Sequence, residues 1–164
     1  YVGRISKEKE LDFLSRVAVQ VERSGGITFA FVGEGPFLAE LKQKIPQGIF
    51  TGVLHNQELG QAYASADLFV FPSTTDTFGN VILEAQASGI PVIVSDVGGP
   101  RDLVADGTDG FVTKANDAAD LARAIRQLAE NPTLRASMGE AGRRRVEDRD
   151  WTEAAEKFWN YSLE

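Results

Sequence analysis

A short strand–helix–strand pattern between Asp67 and Asp102 constrains the fold more than any other part of the sequence. Residues 68–71 form an apolar run that a proline ends, which is typical of a buried strand. Apolar residues across 78–87 predict a helix, and the β-branched residues of 90–94 predict a second strand. Two strands joined by a helix in so short a span form a βαβ unit, whose strands run parallel.

Polar residues and glycines follow both strands, at the edge where ligands bind in open α/β sheets. The loop after the first strand leads into a helix whose first turn contains Gly79, so a ligand can approach the free backbone N–H groups closely. Asp76 and Glu84 are the carboxylates of this region. We expect Glu84 to lie on a buried part of the helix, where a carboxylate needs a partner. Together these features predict an anion-binding crevice at this edge.

Each feature also has a purely structural interpretation. Asp76 could serve only as the N-cap of the helix, and Glu84 could be a partly exposed helical residue. Residues 98–100, Gly-Gly-Pro, could be only a turn. We favour ligand binding because all of these features fall on one edge of the predicted sheet.

Composition narrows the classes of function that remain. The chain has 164 residues, a formal net charge of −7, no cysteine and a single histidine, His55. These values argue against nonspecific nucleic-acid binding, a disulfide framework, a thiolate metal site and a Ser-His-Asp triad. No apolar run approaches the length of a membrane span and no signal peptide is present, so we expect a cytoplasmic protein.

The residues around the two carboxylates resemble the signature of retaining glycosyltransferases with the two-domain GT-B architecture, of the group 1 or family 4 type. That signature begins with an acidic residue and a glutamate that are separated by seven other residues. A strand with a glycine and a proline at its start follows, and then a Gly-Gly turn. The matching residues in this chain are Asp76, Glu84, Gly89, Pro91, Gly98 and Gly99. The chain departs from the family at Asp76, where Glu is usual, and at Glu10, where Gly is more frequent.

The resemblance implies a three-layer, Rossmann-like α/β domain with a parallel sheet of about six strands. It covers nearly the whole chain, so residues 1–164 are expected to be the nucleotide-sugar (donor) binding domain of a longer enzyme whose N-terminal acceptor domain is missing. The implied reaction transfers a sugar from a nucleoside diphosphate sugar to an acceptor hydroxyl with retention, without cofactor or metal. A sugar-nucleotide epimerase or hydrolase of the same architecture, or a non-catalytic nucleotide-binding module, stays open.

The resemblance also assigns roles to single residues. Gly3, Arg4 and Lys9 match the residues with which the family binds the donor pyrophosphate. They lie where a predicted first strand, residues 1–6, meets the helix that follows. Glu84 is expected to bind the ribose hydroxyls. The expected catalytic residues are Asp76, Arg4 and Lys9, and the expected donor-binding residues are Gly3, Gly33, Gly35, Leu54, His55, Phe78, Gly79, Asn80, Val81 and Glu84.

Three other segments carry weaker signals. Gly33 and Gly35 begin a dinucleotide fingerprint, but Leu38 replaces its third glycine and no acid follows at a strand end, so no nicotinamide cofactor is expected. The arginines at 143–145 could attract anionic lipid and give the full-length enzyme a peripheral membrane contact, although a solvated helix surface is the favoured interpretation. Residues 151–163 predict an amphipathic terminal helix.

Overall fold

The computed structural model describes residues 1–23 and 25–147, so the helix predicted over 151–163 lies outside the described residues. Strands and helices alternate along most of the chain. The strands are β1 (Ala30–Val32), β2 (Ile49–Gly52), β3 (Phe69–Phe71), β4 (Val92–Ser95) and β5 (Gly110–Thr113). The helices are α1 (Leu11–Glu22), α2 (Leu38–Lys44), α3 (Asn56–Ala64), α4 (Asn80–Ala87), α5 (Ala118–Glu130) and α6 (Pro132–Glu147).

All strand pairs are parallel, and they form two groups. β1 pairs with β2, whereas β4 lies between β3 and β5. In the second group Val92 is opposite both Phe69 and Gly110. The predicted α/β class and the parallel pairing are confirmed, but the described residues form five strands in two sheets rather than one sheet of about six.

The predicted first strand, residues 1–6, is present only as a partial ladder. Gly3 N donates to Val32 O at 3.0 Å and Ile5 N donates to Glu34 O at 2.8 Å, so this segment runs beside β1. Its one β-bridge joins Val2 to Val32. The predicted strand is therefore not continuous, and the neighbouring backbone has a positive φ of 132° at Gly33, a conformation that favours glycine.

The helix predicted to start at Lys7 begins later than expected. Residues Lys7–Lys9 form a 3₁₀ turn, Glu10 has a left-handed φ of 56°, and α1 starts at Leu11. Glycine adopts the left-handed conformation at the lowest cost, so the backbone accounts for the expected preference for Gly at position 10.

Helices cover both faces of the sheets, which gives the predicted three layers. On one face α1, α2 and α5 bury a cluster that includes Leu14, Phe31 and Ile125. On the other face α3 and α4 pack against β3 and β4 around Tyr63 and Ile82. Because β3, β4 and β5 are parallel, their carboxyl ends lie at the same edge of the sheet, where the candidate site lies. No helix among the described residues has both the length and the apolar character needed to cross a bilayer.

Candidate functional site

Two loops meet at the carboxyl ends of β3 and β4. The first, residues 73–79, follows β3 and contains Asp76; we call it the acid loop. Gly99, in the segment after β4, donates its N–H to Asp76 O at 2.8 Å. A Cβ at Gly99 would collide with Thr77 O, and Gly98 has a φ of 94°. The Gly-Gly turn is thus more than a chain reversal, because it lets the two backbones touch.

Helix α4 begins directly after the acid loop, with its N-terminus uncapped by any side chain. Gly79 is its N-cap residue, with a φ of 93°, and the first helical bond runs from Ile82 N to Gly79 O at 2.9 Å. The N–H groups of Asn80 and Val81 precede that bond, so they are available at the positive end of the helix dipole. The interpretation of Asp76 as an N-cap is wrong, because its carboxylate binds elsewhere.

Asp76 is paired with Lys9, from the opposite end of the sequence. Lys9 Nζ donates to Asp76 Oδ1 at 2.7 Å, and both side chains are only 20% exposed. Asp76 Oδ2 is buried and accepts no hydrogen bond from the described part of the chain. A second contact, in which Thr75 Oγ1 donates to Glu8 O at 3.2 Å, also connects the acid loop to the 3₁₀ turn Lys7–Lys9. The expected catalytic residues Lys9 and Asp76 are therefore direct neighbours.

Arg4, the third expected catalytic residue, lies further out in solvent. Its guanidinium is 3.7 Å from Glu8 Oε1, and its side chain is 66% exposed. The backbone of Arg4 is held by Tyr1, whose hydroxyl donates to Arg4 O at 2.9 Å. The structure thus holds the main chain of Arg4 near the 3₁₀ turn and leaves its guanidinium accessible to a ligand in solvent.

Glu84 is exposed, so the expectation that it is buried is wrong. The core-facing side of α4 instead carries Ile82, Ala85 and Gln86. Gln86 Nε2 donates to Leu103 O at 3.0 Å, while its buried Oε1 accepts no hydrogen bond from the described residues. Glu84 nevertheless has a partner, because the Tyr63 hydroxyl donates to Glu84 Oε2 at 2.8 Å. An exposed carboxylate with one oxygen already held suits ligand binding better than a buried one.

Tyr63 is the site residue that sequence reasoning missed. It is buried on α3 and reaches across to α4. Burial raises the pKa of the Tyr63 hydroxyl, and the hydrogen bond to Glu84 raises it further, so the group stays a donor at neutral pH. A tyrosine in a short helix gives no signal by itself, because only the packing of α3 against α4 reveals its partner.

The glycine loop after β1 has a structural role that the sequence did not indicate. A Cβ at Gly33 would collide with Gly3 O, and one at Gly35 with Ile5 O. These glycines let residues 1–6 pack onto the loop, and their contact with the donor stays a prediction. His55 is exposed just before α3 and accepts a hydrogen bond from Glu58 N at 3.1 Å through its carbonyl. The donor contacts predicted for Leu54, His55 and Phe78 also stay predictions; the Phe78 side chain is exposed.

Each arginine of the run at 143–145 is paired with a carboxylate of the chain. Arg143 contacts Glu147, Arg144 contacts Glu140, and Arg145 reaches the buried Asp109 at 3.2 Å. These pairs agree with the favoured interpretation of the arginine run as an ordinary helix surface. Residues 1–23 and 25–147 contain no group of three or more His, Cys, Asp or Glu side chains arranged to hold a metal ion.

Comparison with known proteins places this geometry in a family. The sequence profile described as Glycosyl transferases group 1 matches residues 1–145. Sulfoquinovosyl transferase SQD2 of Arabidopsis thaliana is 37% identical over 98% of this chain and 32% of its own length. A GDP-mannose-dependent alpha-mannosyltransferase of Mycobacterium tuberculosis is 38% identical over 92% of this chain and 38% of its own length. The chain thus spans roughly a third of each of these relatives.

A solved structure supports the fold assignment independently of the motif. HepE of Anabaena, crystallised in complex with UDP, superposes with a TM-score of 0.82 and 26% identity over 99% of this chain and 48% of that chain. The profile match covers most of the chain, including the acid loop, α4 and the Gly-Gly turn. The chain therefore belongs to the group 1 glycosyltransferase family and has the fold of its GT-B members.

Proposed function

We propose that this chain is the donor-binding domain of a longer two-domain enzyme that transfers a sugar from a nucleoside diphosphate sugar to an acceptor hydroxyl with retention. The observation that carries the proposal is the Lys9–Asp76 pair, 2.7 Å apart, beside the uncapped start of α4. A cation and free backbone N–H groups at one crevice are the donors that a diphosphate needs. The complex of HepE with UDP, and a relative named for GDP-mannose, support a nucleotide-linked donor.

The phosphate side of the crevice would stabilise the leaving group. When the bond between the anomeric carbon and the phosphate oxygen breaks, its electron pair passes to the diphosphate, so catalysis needs preorganised positive groups there. The Lys9 ammonium has three N–H donors, and its bond to Asp76 leaves two for phosphate oxygens. Arg4 adds a guanidinium that can bind phosphate in a bidentate manner, and Asn80 and Val81 add backbone N–H groups. These groups supply the charge in this proposal without a metal.

The sugar and ribose would be bound by the two carboxylates. Asp76 Oδ2 accepts no hydrogen bond from residues 1–23 and 25–147, so a hydroxyl of the transferred sugar would satisfy an acceptor that is costly to leave unpaired. Residues 78–80 stand next to Asp76 at the start of α4 and would border the same sugar. Glu84 is exposed and would accept hydrogen bonds from the ribose hydroxyls. The acceptor would be bound by the other domain, across the cleft.

A transfer assay with a radiolabelled donor tests this proposal. It compares the 164-residue chain with the full-length protein across several acceptors, and includes Lys9→Ala as a site variant. We expect transfer by the full-length protein only, because one wall of a two-domain cleft neither excludes water nor orients an acceptor. NMR of the product reports whether the anomeric configuration is retained.

The other outcomes of the assay separate the alternatives. If the full-length protein released free sugar or an epimerised nucleotide sugar, its activity would be hydrolysis or epimerisation instead of transfer. Binding without turnover would indicate a non-catalytic module. Robust transfer by the chain alone would refute the two-domain proposal.

A further inference from the structure

A buried tyrosine links the two helices that lie on one face of the sheet. The Tyr63 side chain is 4% exposed, and its ring packs against Phe69 with centroids 5.8 Å apart. Its hydroxyl reaches α4 and donates to Glu84 Oε2 at 2.8 Å. The distance to its other neighbour, Val81 O, is 3.5 Å, which is too long for a strong hydrogen bond. Packing alone would be served equally by phenylalanine, so the hydroxyl serves Glu84.

Glu84 needs such a partner if it is to present one defined oxygen to a ligand. A glutamate side chain on an exposed helix surface samples many rotamers, and ordering it on ligand binding costs entropy. The hydrogen bond from Tyr63 fixes Oε2, while no described residue donates to Oε1. The donor is neutral, so it orients the carboxylate without cancelling its charge, which a lysine at this position would do.

We propose that Tyr63 is a positioning residue for ribose recognition: it holds Glu84 so that the second carboxylate oxygen can accept hydrogen bonds from the ribose hydroxyls of the donor. This inference rests on the proposed function, in which Glu84 meets the ribose. It makes the α3–α4 contact part of the binding site and gives Tyr63 a role in distinguishing ribose from sugars that lack these hydroxyls.

The test is calorimetry on the full-length protein with UDP and GDP, each beside its 2′,3′-dideoxy form. The ratio of the two affinities, the ribose preference, is the readout because a merely structural loss would lower both affinities equally. We expect Tyr63→Phe to lower ribonucleotide affinity about 3- to 10-fold, the scale of one hydrogen bond. The affinity for the dideoxy form should stay within about 2-fold, so the preference falls. Ser15→Ala is the matched control, since it removes another buried hydroxyl that donates only to the carbonyl of Asp12, and its ribose preference should equal that of the wild type.

Glu84→Gln separates the failure of the inference from that of the proposed function. If Glu84→Gln keeps the full ribose preference, Glu84 does not bind ribose, and the proposed ribose role fails together with the inference. If Glu84→Gln loses the preference while Tyr63→Phe keeps it, only the inference is overturned. An equal loss of both nucleotide forms in Tyr63→Phe would also overturn it. Should Tyr63→Phe not fold, a fluorinated tyrosine at this position, whose hydroxyl is a stronger donor, must raise the preference; no rise overturns the inference.

Discussion

The two carboxylates of the crevice are held in opposite ways. Asp76 lies in a loop, is largely buried, and forms an ion pair with Lys9 from the other end of the chain. Glu84 lies on a regular helix, is exposed, and accepts one hydrogen bond from the neutral hydroxyl of Tyr63. The acid loop is therefore held by contacts with residues far away in the sequence, whereas Glu84 is held by one hydrogen bond between α3 and α4.

This difference sets how each acid should respond to mutation. Removing one partner of a largely buried ion pair leaves a charge without compensation, which is costly. Removing the hydroxyl from the partner of an exposed carboxylate costs little stability, because water can replace it. Changes on the Asp76 side should thus affect folding and binding together, and changes on the Glu84 side should affect binding alone.

The largest effect is expected from Gly99→Ala, which breaks the support of the acid loop. The new Cβ would meet the backbone carbonyl of Thr77, so one of the two loops must move. We expect a loss of about 2–3 kcal/mol in the free energy of unfolding, at the upper part of the range for overpacking. Chemical denaturation measures it.

Gly60→Ala provides the matched control for that substitution. Gly60 lies within α3, is exposed, and its added Cβ would meet no other atom within 4 Å. Alanine should stabilise the helix there by about 0.5–1 kcal/mol. If Gly99→Ala were as stable as Gly60→Ala, the tight contact between the two loops would not exist in solution.

A smaller effect on binding is expected from Arg4→Ala and Lys9→Ala, and Lys9→Ala should also lower stability because it leaves the Asp76 carboxylate without its partner. Each substitution should weaken the binding of a nucleoside diphosphate by about 1.5–3 kcal/mol, the scale of hydrogen bonds to charged groups. The affinity for the nucleoside should barely change. Lys7→Ala is the control, because Lys7 is equally basic and close in sequence but is exposed and paired with Glu40 at 3.0 Å. Calorimetry with both ligands distinguishes the cases, and equal losses for nucleoside and diphosphate would remove the phosphate-clamp assignment.

The fold was predictable from the sequence where the signal is local. The apolar runs of β3 and β4 and the helix between them follow from the spacing of apolar residues. Strand pairing beyond the βαβ unit was not predictable from the sequence. Residues 1–6 run beside β1 but form only one β-bridge, and the neighbouring backbone has a positive φ at Gly33. Their position depends on a glycine elsewhere in the sequence.

The candidate site was predictable in its residue types but not in its contacts. Asp76, Glu84 and the Gly-Gly turn could be identified from spacing, and their location at one sheet edge follows from parallel topology. The pairing of Lys9 with Asp76 could not be predicted, because 67 positions separate the two residues and either side chain could have been solvated. Tyr63 was missed for the same reason, as its partner lies on a different helix.

The most direct test of the account is calorimetry of UDP, GDP and ADP on the full-length protein and its Glu84→Gln variant. Glu140→Gln serves as the control, since it removes an equal charge from a surface pair with Arg144. We predict that at least one diphosphate binds, that Glu84→Gln lowers its affinity about 10- to 100-fold, and that Glu140→Gln leaves the affinity unchanged. Equal affinity in the wild type and Glu84→Gln, or binding of none of the three, would contradict it.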